Sequence, residues 1–211
     1  MGTVQTLGRR ECPWSCRYND TLPELAAGLE ASVCRHLKEV AATEQDAGEH
    51  FITALLLDVP DHDAQVEMVN CGHPPPLLLH GGQVTVLHAR RPVPPLGMCE
   101  LPAPSHRADP FTFEEGDTLL LYTDGVTEAR SPEGAFYPLT ERAASAPTSG
   151  PEALIRHIHR DLLNHVGHEL GDDAALLVLE RFGARPHITA RPLDGRRRLG
   201  SDPKPVAEDH S

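Results

Sequence analysis

The chain has 211 residues, of which 39% are hydrophobic, and a formal net charge of −12. This length and composition indicate one globular domain, or one domain with tails, that can bury a sizeable core. The acidic balance argues against a general nucleic-acid-binding protein. No apolar stretch is long enough to predict a membrane span.

The first predicted element is a long amphipathic helix. Residues 1–20 show no clear hydrophobic period, and we expect them to form a disordered or non-homologous lead-in. From there, apolar residues recur at steps of three and four, which is typical of one helical face. These residues are Leu22, Leu25, Ala26, Leu29, Val33, Leu37 and Val40.

Two hairpins are predicted in the next part of the chain. Residues 51–59 form a nearly continuous apolar strand, and residues 65–70 alternate as its return strand. Residues 74–80 and 83–87 flank a Gly-Gly pair, which indicates a second hairpin. The proline-rich segment 90–109 is expected to lie over the surface.

Further strands surround one more helix. Residues 111–113 and 118–122 read as strands joined by a turn, 151–166 have helical spacing, and 174–179 form a last apolar strand. From residue 183 to 211 the apolar content is too low for independent folding, so a disordered tail is expected. Because single strands and helices do not alternate, the pattern predicts an α+β fold with helices packed outside antiparallel sheets.

Acidic residues occur at two strand ends. The run Leu119–Leu121 leads into Thr123-Asp124-Gly125, and Asp172-Asp173 runs straight into the last strand. Carboxylates at such positions are well placed to hold a hard divalent cation. Taken alone, Asp124 is better explained as a plain turn aspartate before glycine, and Asp172-Asp173 could be a loop or strand-start pair. The ligand role is favoured only together with the motifs that follow.

Six short motifs in one order resemble the SpoIIE-type branch of the metal-dependent serine/threonine protein phosphatases, the PPM superfamily. The resemblance extends from about Leu22 to Arg181, so the domain is placed at residues 21–182. The motifs are Phe51-Ile-Thr-Ala-Leu55, Asn70-Cys-Gly-His-Pro-Pro-Pro-Leu77, Pro95-Leu-Gly97, Glu115-Gly-Asp117, Leu121-Tyr-Thr-Asp-Gly-Val-Thr-Glu128 and Asp172-Asp-Ala-Ala-Leu176.

The resemblance implies an antiparallel β-sandwich flanked by helices, with two Mn²⁺ or Mg²⁺ ions at one end. It implies that Asp124 and Asp172 are metal ligands, that Asp173 supports them, and that Gly125 allows the tight turn beside the ions. A metal-activated water, rather than a side chain, would then hydrolyse phosphoserine or phosphothreonine. The implied substrate is a cytoplasmic regulatory phosphoprotein such as an anti-sigma-factor antagonist.

The chain also departs from the family pattern. Family members carry an earlier Gly-Asp segment and a second Asp-containing, glycine-rich segment that supply the carboxylate bridging the ions, and nothing before Leu22 resembles either. We therefore expect a domain that is incomplete at its N-terminus, as in a truncated gene product. Unpaired sheet edges would then require a dimer or a partner to cover them. The alternative function is a catalytically inactive, phosphatase-like binding module.

Two further residue types invite functional interpretation. The five cysteines are scattered without zinc-type spacing, so reduced thiols in a cytosolic protein are the simplest interpretation. His73 could be catalytic or bind zinc, but a structural hydrogen bond at the strand turn is favoured.

Overall fold

The computed structural model describes residues 20–41, 51–99, 105–146, 150–167, 170–182 and 185–193. The elements in chain order are α1 (Leu22–Ala41), β1 (Ala54–Asp58), β2 (Gln65–Cys71), β3 (Leu77–His80), β4 (Gln83–Val86), β5 (Asp109–Thr112), β6 (Thr118–Tyr122), α2 (Asp124–Thr127), α3 (Leu139–Ala144), α4 (Pro151–His165), β7 (Ala174–Phe182) and β8 (Arg185–Leu193).

The strands form two antiparallel sheets. One has three strands in the order β1-β2-β5, and the other has five in the order β4-β3-β6-β7-β8. The chain passes from one sheet to the other between β2 and β3, between β4 and β5, and between β5 and β6. The two predicted hairpins and the α+β class with helices outside antiparallel sheets are confirmed.

Three apolar clusters define four layers. The first lies between α1 and the three-stranded sheet, and the second lies between the two sheets. The third lies between the five-stranded sheet and helices α3 and α4. On β6, Leu119 and Leu121 face the other sheet while Leu120 and Tyr122 face the helices. Because both faces of β6 are covered, its sequence is apolar without alternation.

A buried arginine joins the two sheets at one end. Arg181, on β7, is 4% exposed. Its guanidinium donates hydrogen bonds to the carbonyl oxygens of Phe113 at 2.9 Å, Pro60 at 2.6 Å and Asp63 at 2.6 Å. Each acceptor therefore offsets part of the cost of burying the charge.

The expectation of a disordered tail from residue 183 is wrong over Arg185–Leu193, which pairs with the whole length of β7. Strand pairing draws on main-chain groups, so the low apolar content of this segment does not prevent it. Proline at positions 186 and 192 is compatible with an edge strand. Residues 1–19 of the predicted lead-in 1–20 lie outside the described residues, as do residues 194–211 of the predicted tail.

The expectations of a surface loop at 90–109 and of reduced thiols also need correction. Val93 and Leu96 from this segment are buried against α1. A disulfide joins Cys34 of α1 to Cys99, with 5.7 Å between the Cα atoms, whereas Cys71 is a buried free thiol. The sequence did not reveal the pairing, because the two cysteines are 65 positions apart in the chain.

The short helices α2 and α3 were not predicted, since segments of 4 and 6 residues are too short to show a helical period. In the described parts of the chain, no helix combines the length and hydropathy that a membrane span requires.

Candidate metal-binding site

Asp124 lies where β6 ends and the short helix α2 begins. Its side chain is half-buried, and its carboxylate accepts a hydrogen bond from the backbone N–H of Gly125 at 3.0 Å. The Asp124 carbonyl accepts from the backbone N–H of Glu128 at 2.8 Å and from the Thr127 hydroxyl at 3.2 Å. These bonds hold the backbone of Asp124 in one conformation at the end of a buried strand.

Asp172 and Asp173 lie immediately before β7, and both are exposed. The Asp172 carboxylate accepts the backbone N–H of Asp173 at 2.7 Å, which stabilises the local turn. Because β7 pairs with β6, with Leu176 opposite Tyr122, this turn lies at the same end of the sheet as Asp124.

The two acidic segments touch through their backbones. A Cβ atom built on Gly125 would overlap the carbonyl oxygen of Asp173 and would lie 3.0 Å from its carbonyl carbon. Glycine is therefore needed here for close approach of two backbones, rather than for a left-handed turn. The structure thus brings together the Asp124 and Asp172–Asp173 segments that the sequence singled out.

The chemistry of these donors fits one hard divalent cation. Carboxylate oxygens suit Mg²⁺ and Mn²⁺, and Mg²⁺ is usually held by one or two carboxylates together with several waters. Within the described residues, no group of three or more His, Cys, Asp and Glu side chains is arranged to hold a metal ion. The described residues around Asp124 and Asp172 therefore supply two candidate carboxylate ligands and no complete ligand cluster. Their roles as ligands stay predictions.

His73 lies near this site, which the sequence did not predict. Its Nδ1 is 3.3 Å from the Thr53 hydroxyl. Burial lowers the pKa of His73, while the negative charge of Asp124 and a hydrogen bond with the Tyr122 backbone oppose that effect. The Asn70 side chain holds the turn, since its amide bonds the backbone N–H and carbonyl of His73, both at 2.8 Å. These contacts agree with a structural role for His73.

Sequence reasoning missed Thr123. It is fully buried, and its hydroxyl lies 2.9 Å from the backbone N–H of Ala175. The sequence signal that could have identified Thr123 was its position as a polar residue between an apolar strand and the candidate ligand Asp124.

Solved structures share this architecture. The RsbU and RsbW domains of Rv1364c from Mycobacterium tuberculosis align with a TM-score of 0.59 and 23% identity, covering 78% of this chain and 44% of that one. The phosphatase domain of the cell fate determinant SpoIIE from Bacillus subtilis, presoaked with Mn, aligns with a TM-score of 0.52 and 13% identity, covering 80% and 77%. The fold is therefore that of PP2C-type phosphatase domains.

The sequence itself defines the family. The model of the stage II sporulation protein E (SpoIIE) family matches residues 2–182, so the chain belongs to that family. The match begins ahead of Leu22, where the resemblance was expected to start.

Curated relatives agree with this assignment. The phosphoserine phosphatase RsbP of Bacillus subtilis is 29% identical over 145 residues, which cover 68% of this chain and 34% of RsbP. The phosphoserine phosphatase RsbU of the same organism is 27% identical over 165 residues, covering 77% and 48%. The chain thus spans between about a quarter and a half of the length of the curated relatives it matches.

Proposed function

We propose that this chain is a metal-dependent phosphatase that hydrolyses phosphoserine or phosphothreonine on a regulatory protein. The observation that carries the proposal is the fixed contact between the Asp124 and Asp172–Asp173 segments at one end of the sandwich. Membership in the SpoIIE family and two relatives named as phosphoserine phosphatases support it.

In this proposal Asp124 and Asp172 hold Mn²⁺ or Mg²⁺. A divalent cation, when bound, polarises phosphate oxygens and lowers the pKa of a coordinated water. The protein's own contribution is geometric. Gly125 allows the two backbones to approach, and the Asp173 N–H orients the Asp172 carboxylate.

The substrate class follows from the relatives. We assign a phosphoprotein of the anti-sigma-factor-antagonist kind, because this is the substrate that the family resemblance implies. A cytoplasmic location belongs to the same proposal. The net charge of −12 disfavours nucleic acid as a partner.

The test is phosphate release from a phosphoserine peptide by the purified chain, with Mn²⁺ or Mg²⁺ as the variable. Asp124→Asn and Asp172→Asn should each lower the metal-dependent rate on the order of a hundredfold, since each removes a negative ligand that holds the ion. Asp61→Asn, at an exposed turn between β1 and β2, is the matched control and should leave the rate unchanged.

A folded sample that releases no phosphate at saturating Mn²⁺ would refute catalysis by this chain. The alternative, an inactive phosphatase-like binding module, would then describe it better. Activity that survives both aspartate substitutions would instead place the site elsewhere.

A further inference from the structure

Thr123 stands at the junction of the two acidic segments and is fully buried. A buried hydroxyl is costly unless it is hydrogen-bonded. Thr123 occupies the N-cap position of α2 with an extended backbone, where threonine commonly caps its own helix, yet its side chain makes no capping bond. Its hydroxyl instead lies 2.9 Å from the Ala175 N–H and 3.5 Å from the Asp173 carbonyl, across on the β7 side.

The backbone explains why a side chain is needed at this position. The β6–β7 ladder ends at Tyr122 opposite Leu176, so Thr123 faces Ala175 as the next pair. The Thr123 N–H donates to the Ala175 carbonyl at 3.2 Å, as a continued ladder requires. The Thr123 carbonyl belongs instead to the first turn of α2, where it accepts the Val126 N–H at 3.0 Å. The Thr123 hydroxyl therefore takes the place of the main-chain acceptor for the Ala175 N–H.

The use of a side-chain acceptor in place of a main-chain one has two structural consequences. The backbone leaves the sheet early enough to start α2 and present Asp124, while β7 stays attached to β6 for one more pair. The same hydroxyl faces the carbonyl of Asp173, which also contacts Gly125. One side chain thus sets the distance between the two segments that carry the candidate ligands.

We propose that Thr123 is a positioning residue of the metal site, whose hydroxyl fixes Asp124 relative to Asp172–Asp173 by completing the β6–β7 pairing. This positioning role rests on the proposed function in one respect, because both require a metal site at Asp124 and Asp172. Thr123 itself need not touch the ion.

The test is the dissociation constant of Mn²⁺, measured from the electron paramagnetic resonance signal of the free ion. Thr123→Val keeps the shape of the side chain and removes the hydroxyl, and should raise the constant by at least about tenfold, as for other supports of metal ligands. Thr123→Ser retains the hydroxyl and should stay within about threefold of the parent. Ile158→Val, which removes a buried methylene from α4, is the control for lost stability and should leave Mn²⁺ affinity unchanged.

The outcomes separate a positioning role from a merely structural one. Thr123→Val with parental Mn²⁺ affinity, in a sample with the parental circular dichroism spectrum, would overturn the proposal. If that variant does not fold, Thr123→Cys replaces it, because a thiol is a weak hydrogen-bonding group of similar size. Thr123→Cys should then show a raised constant, and parental affinity in Thr123→Cys would overturn the proposal equally.

The proposed function can fail separately. If the parent binds Mn²⁺ through Asp124, loses affinity on Thr123→Val and releases no phosphate, the positioning role stands and the catalytic proposal fails. If the parent hydrolyses phosphoserine and Thr123→Val binds Mn²⁺ with parental affinity, the catalytic proposal stands and the positioning role fails. A parent with no Asp124-dependent Mn²⁺ binding overturns both.

Discussion

Gly125→Ala should destabilise the protein even though it places a better helix former in a helix. Alanine is favoured over glycine in helices by up to about 1 kcal/mol. At Gly125, however, the added methyl would overlap the Asp173 carbonyl oxygen and lie 3.0 Å from its carbon. These atoms belong to backbone that Thr123 and Ala175 hold in place, so they cannot move aside cheaply.

The expected size follows from the two opposing effects. Overpacking of a tightly packed site costs about 1–3 kcal/mol, and here the clash is with backbone, so the upper part of that range applies. After subtraction of the helix preference, the net loss should be about 2 kcal/mol. For a chain of this size, that corresponds to a melting temperature lower by roughly 4–8 °C.

Gly28→Ala is the matched control. Gly28 is also helical, in α1, but it is exposed and a Cβ there would meet no atom within 4 Å. This variant should gain stability by up to about 1 kcal/mol. Both variants are compared with the parent by thermal unfolding followed by circular dichroism. A Gly125→Ala protein that is as stable as the parent, or more stable, would refute the close contact between the acidic segments.

Three other predictions concern the rest of the fold. Arg181→Lys should lower the free energy of unfolding by about 2–3 kcal/mol, because an ammonium group cannot reproduce the three hydrogen bonds of the guanidinium. A loss below about 0.5 kcal/mol in chemical denaturation would contradict this. Asp117, through a hydrogen bond and its charge, raises the pKa of His80. The contribution of the His80–Asp117 pair to stability is therefore complete below the ordinary histidine pKa of about 6.5, and it is lost as the pH rises through the raised pKa. His80→Ala should therefore lower stability more at about pH 5.5 than at about pH 9, and an equal loss at both would count against the pairing. The Cys34–Cys99 disulfide joins residues 65 positions apart, so its reduction should lower the free energy of unfolding by about 4 kcal/mol. Thiol alkylation in intact cells would show whether the disulfide forms there.

The sequence was most informative where one physical pattern dominated. Helices α1 and α4 and the two hairpins follow from hydrophobic period and turn residues. Asp124 and Asp172 were found because each lies beside an apolar strand, and pairing of β6 with β7 then places them at one end of the sheet. Sequence alone could connect the two only through the family resemblance, since they lie far apart in the chain.

What the sequence did not reveal depends on contacts between distant segments. The hydroxyl of Thr123 bonds the Ala175 N–H on β7, while the carbonyl of the same residue bonds within α2. The reason for Gly125 lies in Asp173, which no local pattern around Gly125 encodes. The strand at Arg185–Leu193 likewise forms against β7, and its composition alone resembles a tail.

The most direct test of the central claim, that Asp124 and Asp172 hold one divalent cation together, is a double-mutant cycle on Mn²⁺ affinity. Asp124→Asn, Asp172→Asn and the double variant would be compared with the parent by calorimetric titration. Ligands of one ion are coupled, so either single substitution should weaken binding by at least about tenfold, and the double variant should lose less than the sum of the two free energies. Two losses that add fully, or a single substitution without effect, would contradict a shared site.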